Sequence, residues 1–228
     1  MNALPHARRF APVLALALAL TLTAAPPLAH AEEAGQNWTP LLNGKDLEGW
    51  KFSLGGKQDV PNNGTFTMKD DVLVCSGSPS GYMYTPKAYR NYTLEFDLAF
   101  KRPAGLTNEA AFGGNSGCLI HIADPNALGV WPRSIEVQGM NKQMGIILPI
   151  PRNLKCTKTF NSAALPAARK PLGEFNRIVV TVKGGDMDIS INGTPISTVR
   201  DCELTEGPIG FQSEGVETHW KNLRIREE

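Results

Sequence analysis

The stretch Asn91–Arg102, NYTLEFDLAFKR, alternates strictly: Leu94, Phe96, Leu98 and Phe100 fall on one side of an extended chain, Thr93, Glu95, Asp97 and Ala99 on the other. A period of two is that of a strand, and a strand with one apolar and one polar face belongs to an antiparallel sheet packed on one side only. Its apolar face needs a second sheet. Residues 175–199, FNRIVVTVKGGDMDISINGTPISTV, repeat the pattern. Ile178, Val180 and Val182 alternate, Gly184-Gly185 makes a turn, Met187, Ile189 and Ile191 alternate again, and Asn192-Gly193 makes a second tight turn. That is a three-stranded meander.

Shorter strand candidates are TFTM (65–68), DVLVCSG (71–77), GCLIHIA (117–123), RSIEVQ (133–138), PIGFQ (208–212) and HWKNLRIRE (219–227). No segment carries a long apolar stripe at helical spacing, and the Ala-rich NSAALPAARKP (161–171) is interrupted by Pro166. Many short strands between Gly/Pro turns predict an all-β fold, and the length favours a jelly-roll sandwich of two antiparallel sheets over a smaller immunoglobulin-like domain. The polar stretch from Gly139 to Gly173 is loop-rich, the kind of segment in which functional insertions are found.

The first residues carry an address. Met1–Ala31 opens with His6, Arg8 and Arg9, continues as FAPVLALALALTLTAA, and closes on Ala29-His30-Ala31, a small-x-small cleavage pattern. The expectation is a secretory signal peptide over 1–31, a single domain over 32–228, and a secreted or periplasmic protein; an uncleaved N-terminal anchor is the alternative. No later segment approaches the roughly 20 apolar residues of a membrane span. Arg8 and Arg9 leave with the leader while no acidic residue does, so 21 of the 23 basic side chains face all 22 acidic ones. Such a balance offers no basic stripe, so nucleic acid is not an expected partner.

Cys75, Cys118, Cys156 and Cys202 all follow the leader. Cys156 and Cys202 sit in turn-rich contexts and are the better pair for a bridge, whereas Cys75 and Cys118 alternate with apolar residues as buried thiols do. With no C-x-x-C, a zinc ribbon or a thioredoxin-type site is not expected.

The polar chemistry gathers on three strand candidates. In GVWPRSIEVQG (129–139), Ser134, Glu136 and Gln138 point to one side and Arg133, Ile135 and Val137 to the other. In GNSGCLIHIADP (114–125), Leu119 and His121 face opposite to Cys118, Ile120 and Ile122. IGFQSEG (209–215) puts Gln212 and Glu214 on one side of a third strand end. Were these strands neighbours, their polar faces would line a groove for a sugar, with amides, carboxylates, an imidazole and the Trp131 indole. The plainer alternatives are a solvated strand face for Glu136 and Gln138, a packed histidine at 121, a core plug at Trp131, a surface charge at Arg133 and a turn at Asn115-Ser116. An α/β-hydrolase triad is excluded by the lack of G-x-S-x-G, and H-E-x-x-H is absent. Ordinary retaining glycoside hydrolysis wants a second carboxylate about 5–5.5 Å from Glu136, where the strand instead offers Gln138.

Five ordered motifs carry a resemblance: NWTPLLNGKDLEGWKF, GGNSGCLIHI, WPRSIEVQG, GEFNRIVVTVKGGDMDISINGTPI and GPIGFQSEGVETHWKNLRI, spanning Trp38 to Ile225. Together they resemble the 3-keto-disaccharide hydrolase domain, also called the 3-keto-glucoside 1,2-lyase/3-keto-2-hydroxyglucal hydratase domain. The resemblance implies a concanavalin A-like jelly-roll and a reaction on sugars already oxidised at C3. There the keto group acidifies the C2 hydrogen, a base removes it, the C1 substituent leaves by elimination, and water adds back. It implies Glu136 as the base, His121 as acid or substrate contact, and Arg133 as enolate stabiliser, although Arg133 starts on the opposite face. His121 stands where many relatives carry arginine. Gln138, Gln212, Glu214 and Asn115 would hold the sugar and Trp131 would stack on it. No cofactor is assigned; a divalent metal gripping the keto and hydroxyl oxygens would serve as stabiliser in place of Arg133. A non-catalytic lectin-like module is the alternative function, and a structural or adhesive wall protein a third.

Overall fold

The computed structural model describes Met1 and residues 37–228, so the leader expected at 1–31 lies, Met1 apart, outside the described residues. The strands are β1 (Thr39–Pro40), β2 (Lys51–Leu54), β3 (Phe66–Lys69), β4 (Val72–Cys75), β5 (Gly81–Tyr84), β6 (Asn91–Phe100), β7 (Gly117–Ile120), β8 (Ser134–Gln138), β9 (Ile147–Ile150), β10 (Thr157–Phe160), β11 (Asn176–Lys183), β12 (Asp186–Ile191), β13 (Thr194–Arg200), β14 (Gly210–Ser213) and β15 (Thr218–Glu227). They form two antiparallel sheets. The larger runs β10-β13-β12-β11-β6-β15-β4-β3, with β1 added on β15; the smaller runs β2-β5-β14-β7-β8-β9. The expected all-β, jelly-roll sandwich is the fold observed.

The quoted strand β6 sits near the middle of the larger sheet, between β11 and β15. Its Leu94, Phe96 and Leu98 turn inward and are almost wholly buried. Phe96 meets Phe211 of the opposite sheet edge-to-face at 5.6 Å, and Trp220 closes the trio at 5.5 and 5.1 Å from the two rings. Aromatic rings at such separations add to the burial energy that joins the sheets.

The outer face of β6 departs from the expectation of a solvated side. Glu95 and Asp97 are buried too, because neighbouring strands lay cations across them. Arg224 of β15 binds Glu95 Oε1 through Nε at 3.0 Å and a terminal nitrogen at 2.7 Å, while Arg177 of β11 lies 3.5 Å from Asp97. The polar half of a period-two pattern marks a face without an apolar partner, and here ion pairs rather than water cover it.

The meander is as expected: β11, β12 and β13 pair in sequence, and Asn192 and Gly193 carry the positive φ angles, +49° and +84°, of a two-residue hairpin turn. The Ala-rich segment forms one helical turn, α1 (Leu165–Ala168), because Pro166 occupies a first-turn position where its missing N–H has no partner to lose. Short strands β2, β5, β9 and β10 were not among the candidates; with four residues each they show too few alternations to stand out. Among the described residues no helix is long and apolar enough to cross a membrane.

Candidate functional site

The site is built on the face of the smaller sheet that turns away from the core. In the β7–β8 ladder Gly117 pairs with Gln138 and Leu119 with Glu136, while Cys118, Ile120, Ile135 and Val137 point inward. On the other side of β7, Phe211 pairs with Cys118, which puts Gln212 on the outer face beside Gly117. Two strands that flank β7, β8 and β14, thus bring Glu136, Gln138 and Gln212 onto one surface. Gly117 makes the space between them: a methyl there would sit 2.6 Å from Gln212 Oε1, 3.0 Å from the Val137 carbonyl and 3.1 Å from Glu136 Oε1.

Above this floor lies a hollow of about 180 Å³, lined by Asn115, Leu128, Trp131, Glu136, Gln138, Leu148, Pro149, Ile150, Arg152 and Glu214. Trp131 and Leu128, linked by paired backbone bonds, present apolar surface, and Leu128 is half exposed. Glu136, only 6 % exposed, is the deepest ionisable group. Burial, then the neighbouring Glu214 carboxyl, pushes its pKa from 4.5 to about 7, with the Gln212 amide pulling the other way. Burial also raises Glu214, against a hydrogen bond from Asn115. Gln138 Oε1 accepts the Met140 N–H at 2.9 Å, which orients its amide. Three buried oxygens of the site, Asn115 Oδ1, Glu136 Oε1 and Gln212 Oε1, have no hydrogen-bond partner among the described residues. Buried acceptors without donors are costly and point to a donor-bearing ligand.

Of the residues expected from sequence, Asn115, Trp131, Glu136, Gln138 and Glu214 line the hollow and Gln212 lies beside Glu136 under it. His121 does not join them. Its backbone takes φ +55°, which ends β7 after Ile120 and breaks the alternation, so the ring is fully buried against Tyr92 of β6, with Nδ1 3.2 Å from the Leu204 carbonyl. Burial lowers its pKa to about 4, leaving a neutral packed imidazole. The expected acid or substrate contact at 121 is corrected accordingly. Arg133 is corrected as well: alternation carries it off the Glu136 face, and it pairs with Glu203 at 3.1 Å.

The cation at the hollow is Arg152, exposed and without an ion-pair partner among the described residues. Sequence reading missed it, although it lies within the 139–173 stretch singled out as loop-rich. No alternation marks a residue just beyond a strand end. Among the described residues no three His, Cys, Asp or Glu side chains gather as for a metal ion. The groups a hard cation would use here are the oxygens of Glu136, Glu214 and Asn115. The cysteines are all thiols, so the expected bridge is not formed; Cys156 and Cys202 nevertheless lie side by side, their side chains in hydrogen-bond contact.

Comparison with known proteins bears on the fold first. A crystal structure of a candidate glycosyl hydrolase from Parabacteroides distasonis ATCC 8503 is similar with a TM-score of 0.58 and 21 % identity, covering 87 % of this chain and 97 % of that one. The carbohydrate binding module CBM66 from Bacillus subtilis gives 0.52 at 11 % identity, covering 78 % and 96 %. A Bacillus subtilis protein with a galectin-like fold gives 0.52 at 13 %, covering 83 % and 98 %. These likenesses establish a concanavalin A-like sandwich, which hosts enzymes and binders alike. No curated protein matches the chain in sequence. The sequence of residues 37–226, which includes both sheets and every side chain of the hollow, matches the 3-keto-alpha-glucoside-1,2-lyase-like domain, and the chain belongs to that family.

Proposed function

We propose that the protein is an exported enzyme that cleaves 3-keto-glycosides, with Glu136 as the base that removes the C2 proton. One observation carries the reading: a deeply buried carboxyl poised near neutrality shares its hollow with buried oxygens that lack donors. Sugar hydroxyls supply donors in the density such oxygens require. A carboxylate whose conjugate acid has a pKa near 7 is the strongest base that still stands half ionised at neutral pH.

In this reading a sugar ring lies against Trp131 and Leu128, and its hydroxyls donate to Asn115, Gln212 and Glu136. Arg152 takes the place that sequence reading gave to Arg133, facing the oxygen on which enolate charge develops. The mechanism needs no trapped oxocarbenium ion, so the second carboxyl of the hollow, Glu214, need not act as a nucleophile.

The test pairs a 3-keto-glucoside with its unoxidised parent. Cleavage of the keto compound alone is expected, with kcat/KM falling on the acid side of about pH 7 as Glu136 takes up its proton. Glu136→Gln should lower kcat by at least about 10²-fold while sugar binding persists. Saturable binding of sugar with no cleavage of either compound would favour the lectin-like alternative, and unchanged turnover in Glu136→Gln would remove the base.

A further inference from the structure

Elimination from a glycoside needs two proton movements, one off C2 and one onto the departing oxygen. The burial of His121 against Tyr92 leaves the second without its expected donor. The lining of the hollow has three ionisable side chains: Glu136, Arg152 and Glu214. Glu136 is occupied as the base, and a guanidinium does not give up its proton near neutrality. Glu214 remains. It lies just past the end of β14, after Ser213, and shares the parity of Gln212, which turns it onto the Glu136 face.

We infer that Glu214 is the general acid of the reaction, and in the second half the base that activates water; the inference rests on the keto-glycoside reading above. In the first half, Glu136 takes the proton from C2. The C2–H electron pair becomes the C1–C2 double bond, the C1–O bond breaks toward the aglycone oxygen, and that oxygen receives the proton of Glu214. The products are an unsaturated keto-sugar and an alcohol. In the second half, water adds at C1, Glu214 recovers a proton from it, and Glu136 returns its own to C2. Atoms balance as keto-glycoside plus water giving keto-sugar plus alcohol.

The surroundings fit a carboxyl that changes state. Two carboxyls share one hollow; burial raises both, and the Glu214 carboxyl further disfavours ionisation of Glu136, so the pair tends to hold a proton. Glu214 is half-buried and opens toward the cavity. A ring seated there strips its remaining water and favours the protonated form. Asn115 orients the carboxyl by a hydrogen bond from its amide.

The test varies the leaving group. Glu214→Gln is assayed with the 3-keto derivatives of methyl glucoside and 4-nitrophenyl glucoside, and C2 exchange is followed by NMR in D2O. A poor leaving group needs the acid and a nitrophenolate does not. The expected result is a fall of about 10²-fold or more on the methyl compound, a much smaller fall on the nitrophenyl compound, and retained C2 exchange. Asn115→Ala, which leaves the carboxyl in place, should show the same leaving-group dependence more weakly and serves if the glutamine variant does not fold. Equal losses on both glycosides would overturn the role of Glu214 while leaving that of Glu136 intact. Wild-type protein that neither exchanges C2 nor cleaves either compound would overturn the keto-glycoside reading, and the acid with it.

Discussion

At the scale of single residues, two buried ionisable groups oppose each other. Glu136 has a folded pKa of about 7 against an ordinary 4.5, so the stability it contributes is fully present below pH 4.5 and is lost as pH rises to 7. His121 has a folded pKa of about 4 against 6.5, and for a base that resists its proton the loss comes as pH falls from 6.5 to 4. Between roughly pH 4.5 and 6.5 the two slopes cancel, and replacing one group exposes the other. In Glu136→Gln, the stability difference from wild type should grow in the variant's favour by roughly 3 kcal/mol between pH 4.5 and 7.5. His121→Asn keeps a residue that tolerates positive φ, and its difference from wild type should move the opposite way, gaining toward acid. Urea titrations at several pH values read both. A Glu136→Gln difference independent of pH would mean that the carboxyl titrates normally and is no poised base. For His121→Asn, activity within about threefold of wild type is also expected, since the ring is outside the hollow.

At the scale of elements, the site depends on how closely β7 lets its neighbours approach. Gly117→Ala should move Gln212 and Glu136 apart, because the Val137 carbonyl at 3.0 Å blocks the other escape. The expected outcome is a stability loss of about 1–3 kcal/mol, with kcat/KM down by an order of magnitude or more. Wild-type kinetics in a stable Gly117→Ala protein would show that the two oxygens need no fixed spacing. Alternation made the elements bearing Glu136, Gln138 and Gln212 legible in the sequence, because a shared face follows from parity once strands are neighbours. It failed at His121, where one residue of positive φ reverses the side on which the chain presents itself. It was silent at Arg152, which has no strand to set its direction. Sequence reading did pair Cys156 with Cys202, and they meet where β10 and β13 run together. Mild oxidation should therefore close a bridge between these two alone, read as a mass loss on peptide mapping, and add about 3–4 kcal/mol from loop closure. Scrambled pairs, or no bridge, would separate the two side chains.

At the scale of the whole molecule, the sandwich separates the work of its two sheets. The larger sheet closes the core with β6 and buries its own outer carboxylates under arginines, whereas the outer face of the smaller sheet carries the hollow. Phe96 and Phe211 meet across the core, one from each sheet, yet only Phe211 adjoins a site residue. The next residue, Gln212, is held at its carbonyl by Ser116 Oγ at 3.0 Å and by the Cys75 thiol. Truncation of either ring should therefore cost similar stability, about 3–5 kcal/mol, for the cavity it leaves. Function should divide them. Below its unfolding transition, Phe96→Ala should keep kcat/KM within a few-fold of wild type, since the larger sheet can relax without moving β14. Phe211→Ala should lose substrate binding as the Gln212 backbone shifts over the vacated space. Chemical denaturation gives the first comparison and steady-state kinetics the second. If both variants lose activity alike, the core transmits strain from either sheet to the hollow and the division of labour between the sheets fails.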